Sequence, residues 1–246
     1  MWVPVDKATL CVDGVADKEV AEIASGTDYR GVLYSISGTT STKREYDALG
    51  YREPDIVDYD GKTQYLTSMN NILGTSFTKA DDFKRYMQEE YNAIIGSIKT
   101  KGGFYVGRYE SSLSGSTEDT MSTTGNIQSK RGVMPTSAYN SGTYRWYGLY
   151  AKQHEYATVM NSSYQTNIKS AMIYGSMYDA VMNWALYGAD KTDASKVTGE
   201  VEKRGSKQAT GTLEADKIKN IYDLGNNLSE WTAEVKDMGA RITRGR

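Results

Sequence analysis

The most restrictive feature of the sequence is a run of apolar residues spaced three and four apart. Its members are Phe83, Met87, Tyr91, Ile94, Ile95 and Ile98. This spacing places them on one face of a helix, which must then pack against a core. Thr78 is a predicted N-cap with Asp81 three residues later, and Gly102 and Gly103 are typical of a helix end. The pattern predicts an amphipathic helix over about residues 79–99.

The opposite face of this helix carries charged side chains. They are Lys84, Arg85, Glu89 and Glu90. Mixed charge of this kind is typical of a helix face in water. We therefore expect a solvated face here rather than a pair of catalytic carboxylates.

Short strands and further helices are predicted along the rest of the chain. Residues 1–5 and 104–110 read as strands, residues 144–157 read as a helix, and a third helix is predicted with Ser176 as its N-cap. Strand-like pieces of the tail are residues 221–222, 228–235 and 241–243.

Long polar stretches separate these elements. Residues 35–60, 111–131 and 190–211 read as loops. The chain has no proline-rich linker and no internal repeat. It therefore predicts a single α+β domain over residues 1–246, with two to three helices, short strands and unusually long irregular loops.

Charge and the rarest residue types exclude several classes of protein. With 29 basic and 31 acidic residues the net charge is −2, which argues against nucleic-acid binding. No stretch approaches the ~20 apolar residues of a membrane span, and the first residues do not resemble a signal peptide. One cysteine, Cys11, excludes a disulfide within the chain. One histidine, His154, excludes a multi-histidine or cysteine–histidine metal centre, and we expect it not to act as a general base.

Tyrosine is unusually frequent. The chain has 20 tyrosines against 3 phenylalanines and 3 prolines. Tyrosine suits surface loops, because its ring packs on one side while its hydroxyl meets water. This composition is typical of extracellular and binding proteins.

Five segments resemble one family in order and spacing. Residues 102–110 (GGFYVGRYE), 176–185 (SMYDAVMNWA) and 221–232 (IYDLGNNLSEWT) are similar to motifs of proteins related to the formylglycine-generating enzyme. Residues 1–5 resemble the opening strand of that family, and residues 241–245 resemble the start of its last conserved motif. The resemblance therefore covers nearly the whole chain.

The resemblance implies a C-type-lectin-like fold of the sulfatase-modifying-factor type, with small, twisted, mostly antiparallel sheets. The same group contains the variable receptor-binding proteins of diversity-generating retroelements. A set of motif residues is expected to be structural: Tyr105, Gly107, Arg108, Tyr178, Asp179, Trp184, Asn226, Asn227, Glu230 and Trp231.

Catalysis is not implied for this chain. An enzyme of the family needs a pair of cysteines late in the sequence, whereas Cys11 lies near the start. Relatives also continue past the point that matches Arg246, so we expect the domain to be truncated at its C-terminal end. We therefore predict that the chain is not an enzyme.

The motif at residues 221–232, which we call the late motif, permits a more detailed expectation. Asn226 stands where the family has glycine, so it is predicted to have a positive φ, which asparagine tolerates. Asn227 and Glu230 are expected to bond loop backbone, while Trp231 and Trp184 are expected to be buried in the core. The alternative for this motif is a calcium ion held by its carbonyls and carboxylate, as in some relatives. No other cofactor is expected.

Two further groups leave alternatives open. Asp55, Asp58 and Asp60 precede Gly61, and this cluster is either a solvated turn or a calcium site. Aromatic residues near the second predicted helix are either core or part of a binding face; they are Tyr144, Trp146, Tyr147 and Tyr150.

A ligand-binding surface is predicted in the irregular loops. Residues 111–144 are polar and glycine-containing and lead into the aromatic residues Tyr139, Tyr144 and Trp146, which we assign as ligand-binding. The alternative is an insertion that contacts nothing.

The resulting function is a non-catalytic display domain on a bacterial surface or phage particle. Its partner would be a protein or a glycan, and a homo-oligomer is possible. The alternatives are a structural subunit of a surface filament or virion, and a relative of the formylglycine-generating enzyme. The predicted location is extracellular, on a cell surface or on a virion.

Overall fold

A computed structural model describes residues 1–5, 70–71, 73–78, 80–114, 126–136, 146–186, 207–237 and 240–245. The helices in this part of the chain are α1 (Ala80–Lys101), α2 (Trp146–Tyr164) and α3 (Gly175–Leu186). The strands are β1 (Trp2–Pro4), β2 (Gly103–Tyr105), β3 (Ser111–Leu113), β4 (Ile127–Ser129), β5 (Glu230–Asp237) and β6 (Ala240–Arg244). They pair antiparallel as β1–β2, β3–β4 and β5–β6. Helices beside small antiparallel sheets confirm the α+β class.

Helix α1 follows the predicted apolar stripe. Phe83, Met87, Tyr91 and Ile98 are buried in the core. At the start of the helix, Asp82 Oδ2 accepts hydrogen bonds from both the N–H (3.0 Å) and the hydroxyl (3.2 Å) of Thr78, while the side chain of Asp81 lies outside the described residues.

The predicted double glycine ends α1 and starts β2. Gly102 has a φ of 75°, which favours glycine because a Cβ is strained there. Gly103 pairs with Pro4 of β1, and a Cβ on Gly103 would collide with the carbonyl oxygen of Val3. These two residues thus join the core helix to the pairing that brings the first strand against the middle of the chain.

Strands β3 and β4 correct one expectation. They lie in a stretch predicted to be loop, whereas the strand predicted over residues 104–110 ends at Tyr105. Leu113 of β3 pairs with Ile127 of β4, and both are buried. A pair of three-residue strands has too few residues to show an alternating pattern, so only the tertiary contact identifies it.

The other helices differ from prediction at their ends. Helix α2 continues to Tyr164, seven residues past the predicted end. Helix α3 begins at Gly175, and the N–H of Tyr178 donates to the carbonyl of Tyr174 (2.9 Å), so Ser176 lies inside the helix and is not its N-cap. Helix α1 packs against β2, α2 against β4, and α3 against β1 and β5.

The same set of three hydrogen bonds occurs twice, at the end of α2 and over residues 70–77, where residues 70, 71 and 73 are helical. Asn161 in the last turn of α2 accepts from the Thr166 hydroxyl (2.8 Å) and the Ile168 N–H (2.8 Å), and donates to the Ile168 carbonyl (2.9 Å). Asn70 makes the same three bonds to Thr75 (2.9 Å) and Phe77 (2.8 Å each). The fifth residue of each motif has a positive φ, which is 66° at Gly74 and 51° at Gln165.

Among the described helices, none has the length and apolar character that a membrane span requires.

Candidate functional site

The late motif forms a buried turn over residues 223–227. Asp223 (φ 63°) and Asn227 (φ 69°) adopt the left-handed conformation, and Asn226 does not, so the prediction for Asn226 is wrong. The left-handed residues stand at the two ends of the turn, where the chain reverses. Asn226 is instead buried between them, where its Nδ2 donates to Asp216 Oδ1 (3.1 Å).

Asn227 links this turn to two other segments. Its Oδ1 accepts from the Gln208 N–H (2.8 Å), and its Nδ2 donates to the Gln208 carbonyl (3.1 Å) and to Glu110 Oε2 (2.5 Å). The other oxygen of Glu110 accepts from the N–H of Leu228 (3.0 Å). Asn227 therefore bonds loop backbone as expected, and Glu110, at the end of the family-like segment 102–110, is its partner.

Three carboxyl groups meet beneath the turn. Asp223 Oδ2 accepts from the Thr210 hydroxyl (2.8 Å) and from the Gly211 N–H (2.8 Å). Glu230 Oε2 is buried and has no hydrogen-bond partner in the part of the chain that the structure describes. Burial, and after it the charges of Glu110 and Asp223, raise the pKa of Glu230 well above its usual range. Glu230 therefore resists ionisation in the folded protein.

The carboxyl cluster does not fit a calcium site. Both oxygens of Glu110 and one of Asp223 already accept hydrogen bonds from N–H or O–H groups. Among the described residues, no group of three or more histidine, cysteine, aspartate and glutamate side chains is arranged to hold a metal ion. Calcium also requires six to eight oxygen ligands. A neutral Glu230 accounts for the arrangement without a cation.

Beside this cluster, cations surround two stacked tyrosines. The rings of Tyr109 and Tyr222 lie 5.2 Å apart between centroids, at an angle of 26°. Arg108, Arg131 and Lys217 lie 5.9, 5.5 and 5.7 Å from the Tyr222 centroid. We call these five residues, with Glu214, the tyrosine–cation platform. Such contacts stabilise a cation over an aromatic face.

Glu214 organises the platform. One of its oxygens accepts from the Tyr222 hydroxyl (2.7 Å) and from Arg131 (3.0 Å), and the other accepts from Lys217 (2.6 Å). The bonds from Lys217 and then from Tyr222 lower the pKa of Glu214 to about 2, so it remains ionised. Within the platform, three cations lie around one carboxylate, while the carboxyl groups of Glu110 and Asp223 belong to the neighbouring turn cluster.

Backbone contacts fix the platform in place. Arg131 Nε donates to the Gly211 carbonyl (2.8 Å), and the Tyr222 N–H donates to the Arg108 carbonyl (3.0 Å). Gly211 has a φ of 69°, and a Cβ there would lie 2.6 Å from the Tyr109 ring. The arginine ends are solvent-exposed, as Arg131 shows with 53% exposure of its side chain. Fixed cations facing water can bind an anionic group with little loss of side-chain freedom.

The predicted ligand-binding residues have different outcomes. Tyr139 and Tyr144 lie outside the described residues, as do Cys11 and the aspartates near Gly61. Trp146 is 3% exposed and its indole N–H donates to the Thr232 carbonyl (2.7 Å). It stacks on Tyr150, with 5.1 Å between centroids. Trp146 therefore belongs to the core and is not available to a ligand, which corrects its assignment.

The remaining motif residues divide between surface and core. Tyr105 is 77% exposed and contacts Trp2 edge to face. The Tyr178 hydroxyl donates to the Leu224 carbonyl (3.3 Å). Trp184 and Trp231 are half-buried against the core rather than fully buried. Gly107 packs beside Ser129, and Arg108 is exposed. The side chain of Asp179 lies outside the described residues.

Sequence reasoning did not find Tyr109, Tyr222, Arg131 and Lys217 as a group. They come from three segments of the chain, and no spacing in the sequence joins them. The only available signal is the excess of tyrosine.

Comparison of the chain with protein-family models, curated proteins and solved structures finds no match.

Proposed function

We propose that this chain is a non-catalytic ligand-binding domain with a C-type-lectin-like fold, displayed on a bacterial surface or a phage particle. The ordered series of family-like segments supports the proposal. The pairing of β1 with β2, which joins the first and middle segments, is also consistent with it. So is Asn227, which ties the late segment to Glu110 of the middle one.

The tyrosine–cation platform is the observation that carries the binding role. It gathers three cations around one carboxylate on a chain whose net charge is −2. Arginine binds carboxylate, sulfate or phosphate through paired N–H donors. We propose that the platform binds an acidic glycan. Tyr139 and Tyr144, which lie outside the described residues, stay predicted ligand-binding residues.

Binding to immobilised polysaccharides tests this proposal. We expect the protein to bind sulfated or uronic-acid polysaccharides more tightly than neutral ones, with affinity that falls as salt rises. Arg108→Gln should weaken binding about tenfold, the effect of losing one charged contact. Arg85→Gln is the matched control, because Arg85 is an exposed arginine of α1 paired with Asp82 (3.2 Å). Equal binding to neutral and acidic polysaccharides would contradict the proposal. Binding to an acidic protein but to no polysaccharide would show that the ligand is a protein and not a glycan.

A structural subunit of a filament or virion is the second candidate. The exposed pair Trp2 and Tyr105, 37% and 77% exposed, favours it because exposed aromatic residues are enriched where protein surfaces meet. Sedimentation of wild type and Tyr105→Ser over a concentration series distinguishes the candidates. Assembly that Tyr105→Ser abolishes would favour the subunit.

A further inference from the structure

Glu90 of α1 is the meeting point of three segments. Its Oε1 accepts hydrogen bonds from the hydroxyls of Tyr150 in α2 (2.8 Å) and Tyr174 before α3 (2.8 Å). Its Oε2 bonds to Nε2 of His154 in α2. The Glu90 and His154 side chains are only 12% and 15% exposed. A residue predicted to face water thus binds two other segments of the fold.

The partners of His154 determine its protonation. Nδ1 lies 2.8 Å from the carbonyl oxygen of Tyr150, which can only accept, so Nδ1 carries a hydrogen. Nε2 faces a Glu90 oxygen, which also accepts when the carboxyl is ionised. The other oxygen of Glu90, Oε1, accepts hydrogen bonds from two phenol hydroxyls, so these contacts all use the carboxyl as an acceptor. Both ring nitrogens then need a hydrogen, which only the imidazolium supplies.

We propose that His154 and Glu90 form a pH-operated clamp between α1 and α2, closed while the imidazole is protonated and loosened when it loses its proton. When the proton leaves, either Nε2 turns a lone pair toward the carboxylate or Nδ1 turns one toward the Tyr150 carbonyl. Either arrangement replaces an attraction by a repulsion in a site with little water to screen it.

The surroundings leave Glu90 as the charged partner of the ring. Tyr86 of α1 and Tyr150 have ring centroids 6.1 and 4.8 Å from the imidazole. Burial, with the charge of Glu90, raises the pKa of Tyr86 to about 12, and burial raises the pKa of Tyr150 well above 10, so both stay neutral. Lys152 of α2 bonds to Glu155 of the same helix (2.8 and 2.9 Å).

The direction of the pH effect follows from the histidine pKa. Burial lowers the pKa of His154, but the hydrogen bond and charge of Glu90, with the Tyr150 carbonyl, raise it above 6.5 overall. A cation with a raised native pKa contributes stability that is fully present below the unfolded pKa of 6.5. That stability is lost as the pH rises through the native pKa. The tyrosines do not ionise in this window.

The clamp lies next to the base of a proposed ligand-binding stretch. Gln153, which precedes His154, donates to the hydroxyl of Ser111 in β3 (3.1 Å). Ser111 begins the stretch 111–144. The idea that the clamp controls ligand binding rests on the proposed function. The pH-dependent contact between α1 and α2 does not depend on that function.

The single histidine permits a direct test by NMR on protein labelled with ¹⁵N-histidine. We expect both ring nitrogens to be protonated at pH 6.5, with a titration midpoint above 6.5. In Glu90→Gln the midpoint should fall below 6.5, because burial then acts without the carboxylate. Glu89→Gln, the exposed neighbour on α1, is the matched control and should leave the midpoint unchanged. A neutral ring in wild type at pH 6.5 would overturn the proposal without any variant.

Hydrogen exchange measures the clamp itself. Amides of α2 should exchange faster at pH 9 than at pH 6 after correction for the intrinsic rate, and His154→Gln should remove most of this difference. Wild-type α2 protection that is equal at both pH values would refute the clamp. If wild type lost polysaccharide binding at high pH and His154→Gln did not, the clamp would also control ligand binding. Failure of all polysaccharide binding would refute only the proposed function.

Discussion

Glu230→Gln is expected to stabilise the protein at neutral and alkaline pH. The buried Oε2 of Glu230 has no hydrogen-bond partner among the described residues, and the charges of Glu110 and Asp223 act on this carboxyl. Glutamine has the same shape, has no charge to desolvate, and offers an N–H₂ group to the neighbouring carboxylates. The substitution therefore removes an electrostatic cost and keeps the packing.

The magnitude follows from burial and from the pKa. A buried polar group without a partner costs about 1–3 kcal/mol, and each unit of raised pKa adds ~1.4 kcal/mol at high pH. A carboxyl with a raised native pKa contributes stability that is present below the unfolded pKa of 4.5 and lost as the pH rises through the native value. We therefore expect Glu230→Gln to exceed wild type by about 1–3 kcal/mol at pH 8 and to equal it near pH 4.

Urea unfolding followed by tryptophan fluorescence between pH 4 and 8 measures this difference. Glu214→Gln is the control, because Glu214 is exposed and its lowered pKa predicts the opposite sign: its contribution is present above 4.5 and is lost as the pH falls toward 2. A Glu230→Gln variant less stable than wild type at pH 8 would refute the reasoning. If calcium then stabilised wild type but not the variant, Glu230 would be an ionised metal ligand.

Two other predictions concern the helix ends and catalysis. Gln165→Gly should raise the free energy of unfolding by about 0.5–1 kcal/mol, because Gln165 has a φ of 51° in open solvent. Gly74→Ala, at the equivalent position of the other motif, should lower the free energy of unfolding by about 1 kcal/mol. Thermal denaturation measures both variants. If both variants changed the stability in the same direction, the two motifs would not share a requirement for a positive φ. Incubation with copper and a cysteine-containing sulfatase peptide should give no aldehyde by mass spectrometry, since Cys11 is the only thiol. Turnover that Cys11→Ser abolishes would show that the chain is an enzyme.

The sequence by itself determined the features that depend on neighbours along the chain. The apolar stripe from Phe83 to Ile98 requires a buried helix face, and the glycine pair after it ends the helix. Composition excluded a disulfide within the chain and a multi-histidine metal centre. These conclusions hold because helix periodicity, chain reversal and residue counts are local or additive properties.

The tertiary structure decided which polar groups meet. Glu89 and Glu90 are adjacent on a charged face, yet Glu89 is exposed, whereas Glu90 bonds to Tyr150, Tyr174 and His154. The positive φ belongs to Asn227, whose amide bonds to Glu110, and not to Asn226, whose amide bonds to Asp216. A carboxylate or an amide looks the same in sequence whether its partner is water or a side chain many residues away. Only the packing of the segments selects that partner.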